Sequence, residues 1–327
     1  MDTNIPNPDE LEQTALRIYF VAFHQVLNII DDLLNKHQLL RAKLDGRSIV
    51  AISDAENSRT TEDNSDDIAE YIRLAQPDLQ LSYTLIQQSQ ELGLKSIICR
   101  ESPFLLLLGS DVRSWGHDKD FADLRTIDAG DLIKVVNAIK PNKLDEKFSN
   151  TFNALRRGRN KISHLGQFRD QIDPIYLLDI LIDQYRSLYT DRTWIQDLLL
   201  FESSHRHTIF TSAHLSDQNS ALSTYASVED ATTLAQQKFL LGASKNCKLY
   251  RCPKCHSGDY MGLEMGIGRT LAVERRSTKA SCLICLEEFS IKYRQCIFCR
   301  ERVAFIDRGG DEDMCGYCGE KWRDHQP

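Results

Sequence analysis

Eight of the ten cysteines in this 327-residue chain fall in four Cys-x-x-Cys knuckles: Cys252 and Cys255, Cys282 and Cys285, Cys296 and Cys299, Cys315 and Cys318. Two thiolates two residues apart can clasp one ion from a tight turn, and a second such turn completes a tetrahedral shell. Four knuckles therefore imply two closed four-sulfur sites, each expected to hold a structural Zn2+. A disulfide framework would sit oddly beside the rest of the chain, which reads as cytoplasmic, and redox chemistry needs one knuckle rather than four. A closed shell leaves no coordination position for water or substrate, so catalysis at these metals is not expected.

The spacing bears on which knuckles share an ion. Sequential pairing leaves 26 residues between the first two knuckles and 15 between the last two, each enough for a small sheet. Tyr260 to Met265 and Leu271 to Arg275 read as strands in the first loop. In the second, Arg302 to Asp307 followed by Arg308-Gly309-Gly310 reads as a hairpin. This arrangement resembles tandem zinc ribbons. The alternative is a RING-like cross-brace, first knuckle with third and second with fourth, which would imply ubiquitin transfer. Against it stand the ten-residue middle gap and the absence of a histidine ligand. Cys247 and His256 are close enough in sequence to substitute for a ligand but read as bystanders, and Cys99, in an apolar run, reads as a core thiol.

The chain carries a formal charge of −7. Residues 243–327 are +3 and the first 242 are −10, but eight thiolates around two Zn2+ bring the tail to −1. No broad nucleic-acid-binding field is expected, although Arg275-Arg276 and the group Arg294, Arg300 and Arg302 could touch phosphates locally. The start, Met1-Asp2-Thr3-Asn4, lacks the basic and apolar parts of a secretion signal, and the longest apolar run, Phe104 to Leu108, is too short to span a bilayer. A cytoplasmic protein without membrane contact is the expectation. A polar loop is expected around Asp54 to Asp66. Ser203 to Ser227 reads as a Ser-rich linker whose His205, His207 and His214 are exposed loop residues, followed by a helix near Val228 to Leu241. The expected fold is mainly α: a helical domain over 1–202, a linker and connecting helix over 203–242, and a small zinc-stabilised β-rich region over 243–327. Its two ribbons are expected at 252–285 and 296–318.

Two helices of the first part have readable starts. Asn7-Pro8-Asp9-Glu10 gives an N-cap, a first-turn proline and a capping acid, ahead of Ile18, Phe20, Val21, Phe23 and Val26, which are mostly core-forming. From Asn142 to about Leu165, Leu144, Phe148, Phe152, Leu155 and Ile162 fall on one stripe at helical spacing, with Asn160 and His164 on the other side. Gly166 is placed to stop this helix, and Asp173-Pro174 opens another, through Ile175, Leu178, Leu181, Ile182, Tyr185 and Leu188. The two form a helical hairpin with a basic polar face.

An Arg followed by His after four to six residues occurs four times: Arg17 to His24, Arg157 to His164, Arg159 to His164 and Arg251 to His256. The first lies in a core helix and the last encloses two cysteine ligands, so context selects the region around His164. The order Arg156-Arg157-Gly158-Arg159-Asn160-Lys161-Ile162-Ser163-His164, then Gly166, a loop and an amphipathic helix, resembles the HEPN family of helical-bundle domains over about Asp131 to Tyr189. That resemblance implies a homodimer whose paired motifs form a metal-independent endoribonuclease site, often in toxin, antiphage or RNA-processing systems, with an antitoxin or other protein partner possible in such systems. It assigns Arg159 to the phosphate, His164 to proton transfer and Asn160 to support, with RNA ends left as a 2′,3′-cyclic phosphate and a 5′-hydroxyl. Ideal helix geometry sets Arg159 about 140° from His164 and brings Arg157 beside it, so Arg157 is the reserve cation. The competing class is a noncatalytic RNA- or protein-binding adaptor built on the same domains.

Overall fold

Asn7 starts the first helix, α1 (Pro8–Asp31), by accepting the Asp9 amide on its side chain at 2.9 Å, with Pro8 in the first turn. Its inner face, from Ala15 through Tyr19, Phe23 and Val26 to Ile30, is buried. It runs antiparallel to α3 (Gln76–Glu101): Arg100 pairs with Asp9 and Glu12 at one end, and Ser89 donates to the Ala15 carbonyl at 2.8 Å further along. Serines at a seven-residue spacing, Ser82, Ser89 and Ser96, are all buried in α3, and each returns its hydroxyl proton to a main-chain carbonyl. These small, satisfied side chains let neighbouring helices approach α3 without leaving a polar group unpaired. Between α1 and α3 lie a short hairpin, β1 (Ala42–Asp45) with β2 (Ser48–Ala51), and α2 (Thr61–Leu74).

Three more α-helices follow among the described residues of this unit: α4 (Ala129–Ile139), α5 (Glu146–Leu165) and α6 (Pro174–Leu188). Asp145 caps α5 by accepting the Phe148 amide at 2.7 Å, and Gly166, at φ 58°, ends it in the left-handed conformation that glycine adopts without penalty. The helix expected from Asn142 starts at Glu146; Leu144 is buried just before it, Phe148, Phe152 and Leu155 are buried within it, and Ile162 is half-exposed in its last turn. Phe152 and Leu155 alone contribute about 1.5–3 kcal/mol each by leaving water. Asp173 and Pro174 open α6 as expected, with Asp173 accepting the Ile175 amide at 2.8 Å.

The structure, a computed structural model, describes residues 5–36, 42–45, 48–51, 61–107, 121–166, 170–204, 217–256, 268–274, 276–307, 312–319 and 321–323. It divides into two units, Met1–Thr190 and Asp191–Pro327. The second unit begins with α7 (Trp194–Ser203), α8 (Asp217–Ala231) and α9 (Leu234–Leu240). Part of the stretch read from composition as a Ser-rich linker is thus helix α8. Ala221, Tyr225 and Val228 form its buried stripe, and the serines between them hide the pattern in a composition count. The helix expected over Val228 to Leu241 is two, because Thr233 opens a new one with a capping box to Gln236.

The rest of this unit is a seven-stranded antiparallel meander in sequence order: β3 (Lys248–Tyr250), β4 (Leu271–Val273), β5 (Lys279–Cys282), β6 (Glu288–Gln295), β7 (Arg302–Asp307), β8 (Glu312–Cys315) and β9 (Lys321–Arg323). The strand expected at Arg302 to Asp307 is present, and Leu271–Val273 is the core of the one expected from Leu271, while Tyr260 to Met265 and the Arg308-Gly309-Gly310 turn lie outside the described residues. β6, eight residues long, pairs with β5 on one side and β7 on the other, so the two halves share it. Among the described residues, no helix is long and apolar enough to cross a membrane.

Candidate functional site

The knuckles sit at strand ends, where a chain reversal presents both sulfurs to one point. Three of them are followed by a residue in the left-handed region: Leu286 at φ 60°, Arg300 at φ 60° and Gly319 at φ 81°. Main-chain bonds close the turns, with the Leu286 amide donating to the Cys282 carbonyl at 3.1 Å and the Gly319 amide to the Cys315 carbonyl at 2.9 Å. The fourth, at Cys252, wraps a single helical turn, Pro253–His256.

Cys252, Cys255, Cys282 and Cys285 form one group and Cys296, Cys299, Cys315 and Cys318 the other, with the sulfurs of each group within 4.8 Å of one another. Knuckles therefore pair sequentially, and the cross-brace alternative is not what the chain adopts. Sulfur separations are 3.7 Å for Cys252 to Cys285 and 3.8 Å for Cys255 to Cys282. In the second group they are 3.8 Å for Cys296 to Cys318 and 3.9 Å for Cys299 to Cys315. A metal–sulfur bond of about 2.3 Å gives a tetrahedron with edges of about 3.8 Å, so both groups are positioned to hold a metal ion, and a disulfide, near 2.05 Å, is far shorter. Hydrogen bonds from Cys252, Cys255 and Cys285 drive the Cys282 thiol strongly down, while hydrogen bonding with Cys252, Cys282 and Cys285 drives Cys255 up. Thr270 adds a contact to Cys282 at 3.3 Å. Cys247 is buried outside both groups, and Cys99 is buried with its thiol on the Pro6 carbonyl at 3.1 Å, as a core thiol should be.

The basic run on α5 separates into distinct environments. The Arg156 guanidinium lies against Gly130 of α4, close enough that a β-carbon there would meet its Nη1 at 3.5 Å. Arg157 is exposed. Arg159 turns inward to α3, donating from Nε to Gln87 Oε1 at 3.0 Å and pairing through Nη2 with Glu91 Oε2 at 3.4 Å. Gln87 in turn donates to Glu91 at 3.0 Å, so an i, i+4 pair on α3 forms one acceptor for the guanidinium. Gly158 makes room for a side chain of α3: a β-carbon there would stand 2.4 Å from the Tyr83 hydroxyl oxygen. Tyr83 donates to the Ala154 carbonyl at 3.0 Å. Burial pushes its phenol up to about 12, with the neighbouring Tyr176 phenol adding to the rise and the Arg157 charge opposing it.

On the outer side of the same two turns, Arg157, Lys161 and His164 are exposed and Asn160 half-exposed. At 100° per residue these four positions span roughly a quarter of the helix circumference. Arg159 falls on the opposite side, among the stripe residues. Of the expected site residues, the structure therefore gathers Arg157, Asn160 and His164 on one face and sets Arg159 apart. Gln87 and Glu91, which fix Arg159, carried no motif and were not read from the sequence. No family model, no curated protein and no solved structure matches this chain.

Proposed function

We propose that the helical unit is a metal-independent endoribonuclease and that the C-terminal unit holds two structural Zn2+ ions. The observation that supports the first part is the shared outer face of Arg157, Asn160 and His164 over the last turns of α5. A cation that stays charged at any biological pH and an imidazole two turns along the same helix face provide what RNA transesterification needs. Arg157 takes the phosphate role, since its guanidinium is exposed, and Arg159 acts from within as the tie that fixes α5 on α3. His164 accepts the 2′-hydroxyl proton, the 2′-oxygen attacks the adjacent phosphorus, and the bond from phosphorus to the 5′-oxygen breaks. The leaving oxygen takes a proton from the imidazolium of a second copy, in the homodimer that the HEPN resemblance implies. The products are a 2′,3′-cyclic phosphate and a 5′-hydroxyl. Zinc suits the second unit because a closed tetrahedral shell of four thiolates is the donor set of structural zinc sites. The ions hold the strands and take no part in bond breaking.

The test is incubation of the purified chain with a pool of cellular RNAs in magnesium-free buffer with EDTA, zinc content being measured before and after. His164→Ala and Arg157→Ala are expected to slow cleavage by about 100-fold or more. RNA left equally intact by the parent and both variants would sink the nuclease reading. Equal cutting by all three would place the activity elsewhere.

A further inference from the structure

We infer that one face of the metal-bearing sheet is a groove for single-stranded RNA, with Tyr293 as the stacking platform and Lys248, Arg276 and Arg302 as phosphate contacts. RNA as the ligand rests on the proposed function above; cleavage is not required for it.

Strand register puts these residues together. Lys248 pairs with Val273, and the β4–β5 and β5–β6 registers carry that side of the sheet through Ala280 to Phe289. Tyr293, four residues on from Phe289, shares the face by the two-residue alternation of a strand. Gln295 pairs with Arg302, two residues beyond Tyr293, which puts Arg302 on the same side. A groove of about 540 Å3 follows this face, with Lys248, Tyr250, Glu274, Arg276, Tyr293 and Arg302 among its lining. That volume admits a nucleobase with part of its sugar.

Tyr293 is 43% exposed although it stands mid-strand in the longest strand of the sheet. Lys248, Arg276 and Arg302 are exposed, and none forms an ion pair among the described residues, against one carboxylate, Glu274. The opposite face is different. There Arg294 pairs with Asp313 and its guanidinium lies over the Phe305 ring at 4.6 Å, while Lys292 approaches Asp313 at 3.9 Å. Arg294 and Lys292 are thus held by one carboxylate, Asp313, whereas Lys248, Arg276 and Arg302 of the groove form no ion pair among the described residues. An exposed aromatic ring flanked by three unneutralised cations matches a base and its neighbouring phosphates, since stacking accepts any base and the cations track the backbone. An acidic peptide would use the cations and leave the ring without a flat partner.

The experiment measures anisotropy of a fluorescein-labelled 12-nucleotide uridine RNA with the full-length chain carrying His164→Ala, which keeps the probe whole. Tyr293→Ala should weaken binding about tenfold, and Tyr293→Trp should restore it. Lys248→Gln with Arg302→Gln should lower the slope of log affinity against log salt by about 1.4. Lys292→Gln, on the other face, should change neither quantity. Two zinc ions per chain in every variant verify the fold, and photocrosslinking of the probe to Tyr293 in the His164→Ala chain gives a readout independent of any groove substitution. Absence of binding by the parent, or groove variants with unchanged affinity and salt slope, would overturn the assignment. Weakened binding in these variants beside a wild-type chain that cuts no RNA would leave the groove standing and remove the nuclease.

Discussion

Gly158→Ala tests whether the approach of α3 to α5 governs the geometry of the basic face. In an unconstrained helix interior this change stabilises by about 1 kcal/mol, because alanine restricts the unfolded chain and suits the helix. Here the added carbon would meet three atoms of Tyr83 at 2.4, 2.6 and 2.7 Å, distances that β-carbons essentially never show. Tyr83 is only 7% exposed and its hydroxyl is committed to the Ala154 carbonyl, so the ring cannot swing aside without losing that bond. Overpacking of this kind costs about 1–3 kcal/mol or somewhat more. With the helix gain subtracted, the expected net loss is about 0–2 kcal/mol. Urea denaturation followed by circular dichroism at 222 nm reads mainly helix loss, so the shift should appear as a lower midpoint. Tyr83→Leu removes all three obstructing atoms, and in that background Gly158→Ala should stabilise by about 1 kcal/mol. A Gly158→Ala protein more stable than the parent with Tyr83 present would refute the packing argument.

Three further outcomes follow from the geometry. Arg159→Ala should lower the stability of the helical unit by about 1.5–3 kcal/mol through loss of charge-assisted bonds to Gln87 and Glu91, whereas exposed Arg157→Ala should stay within about 0.5 kcal/mol, both read from urea midpoints. Cys282→Ser should reduce bound zinc from two ions to one by elemental analysis and leave helical-unit stability unchanged, because structural zinc contributes about 10 kcal/mol or more only to the fold that it closes. Burial raises the Glu229 carboxyl above its ordinary value despite the opposing Arg269 amide and charge. Its contribution to stability is therefore present below the unfolded pKa and lost as pH rises through the folded one, so in thermal melts Glu229→Gln should gain stability relative to the parent as pH rises above the ordinary carboxylate range.

What the sequence made legible is what neighbours in the chain decide. Asn7 before Pro8, Asp145 ahead of α5, Gly166 after it and Asp173 before Pro174 are contacts over two to four residues, and the knuckles carry their own chemistry. The fates of Arg156, Arg157 and Arg159 were not legible, because they depend on which helix lies opposite each, and α3 announces itself poorly. It packs against several helices and buries glutamines and serines as well as aliphatic residues, so its two sides differ little in polarity. Helical angles alone did set Arg159 apart from His164, and Glu91 and Gln87 supply the reason for that inward side. At Gly158 the missing side chain is space for Tyr83, a long-range contact that no local pattern announces. The groove around Tyr293 needs strand register, which no local pattern specifies across four turns.

β6 belongs to both metal-bearing halves, with the Cys285 knuckle leading into it and the Cys296 knuckle leaving it. Fixing this strand is a shared conformational requirement, so whichever ion arrives first orders a wall of the other cage, and the second binds to a chain with less left to order. Loading should then be cooperative. At limiting zinc a population of these molecules would divide into empty and doubly filled chains, with few carrying one ion, and the sheet would respond to metal supply over a narrow range of concentration.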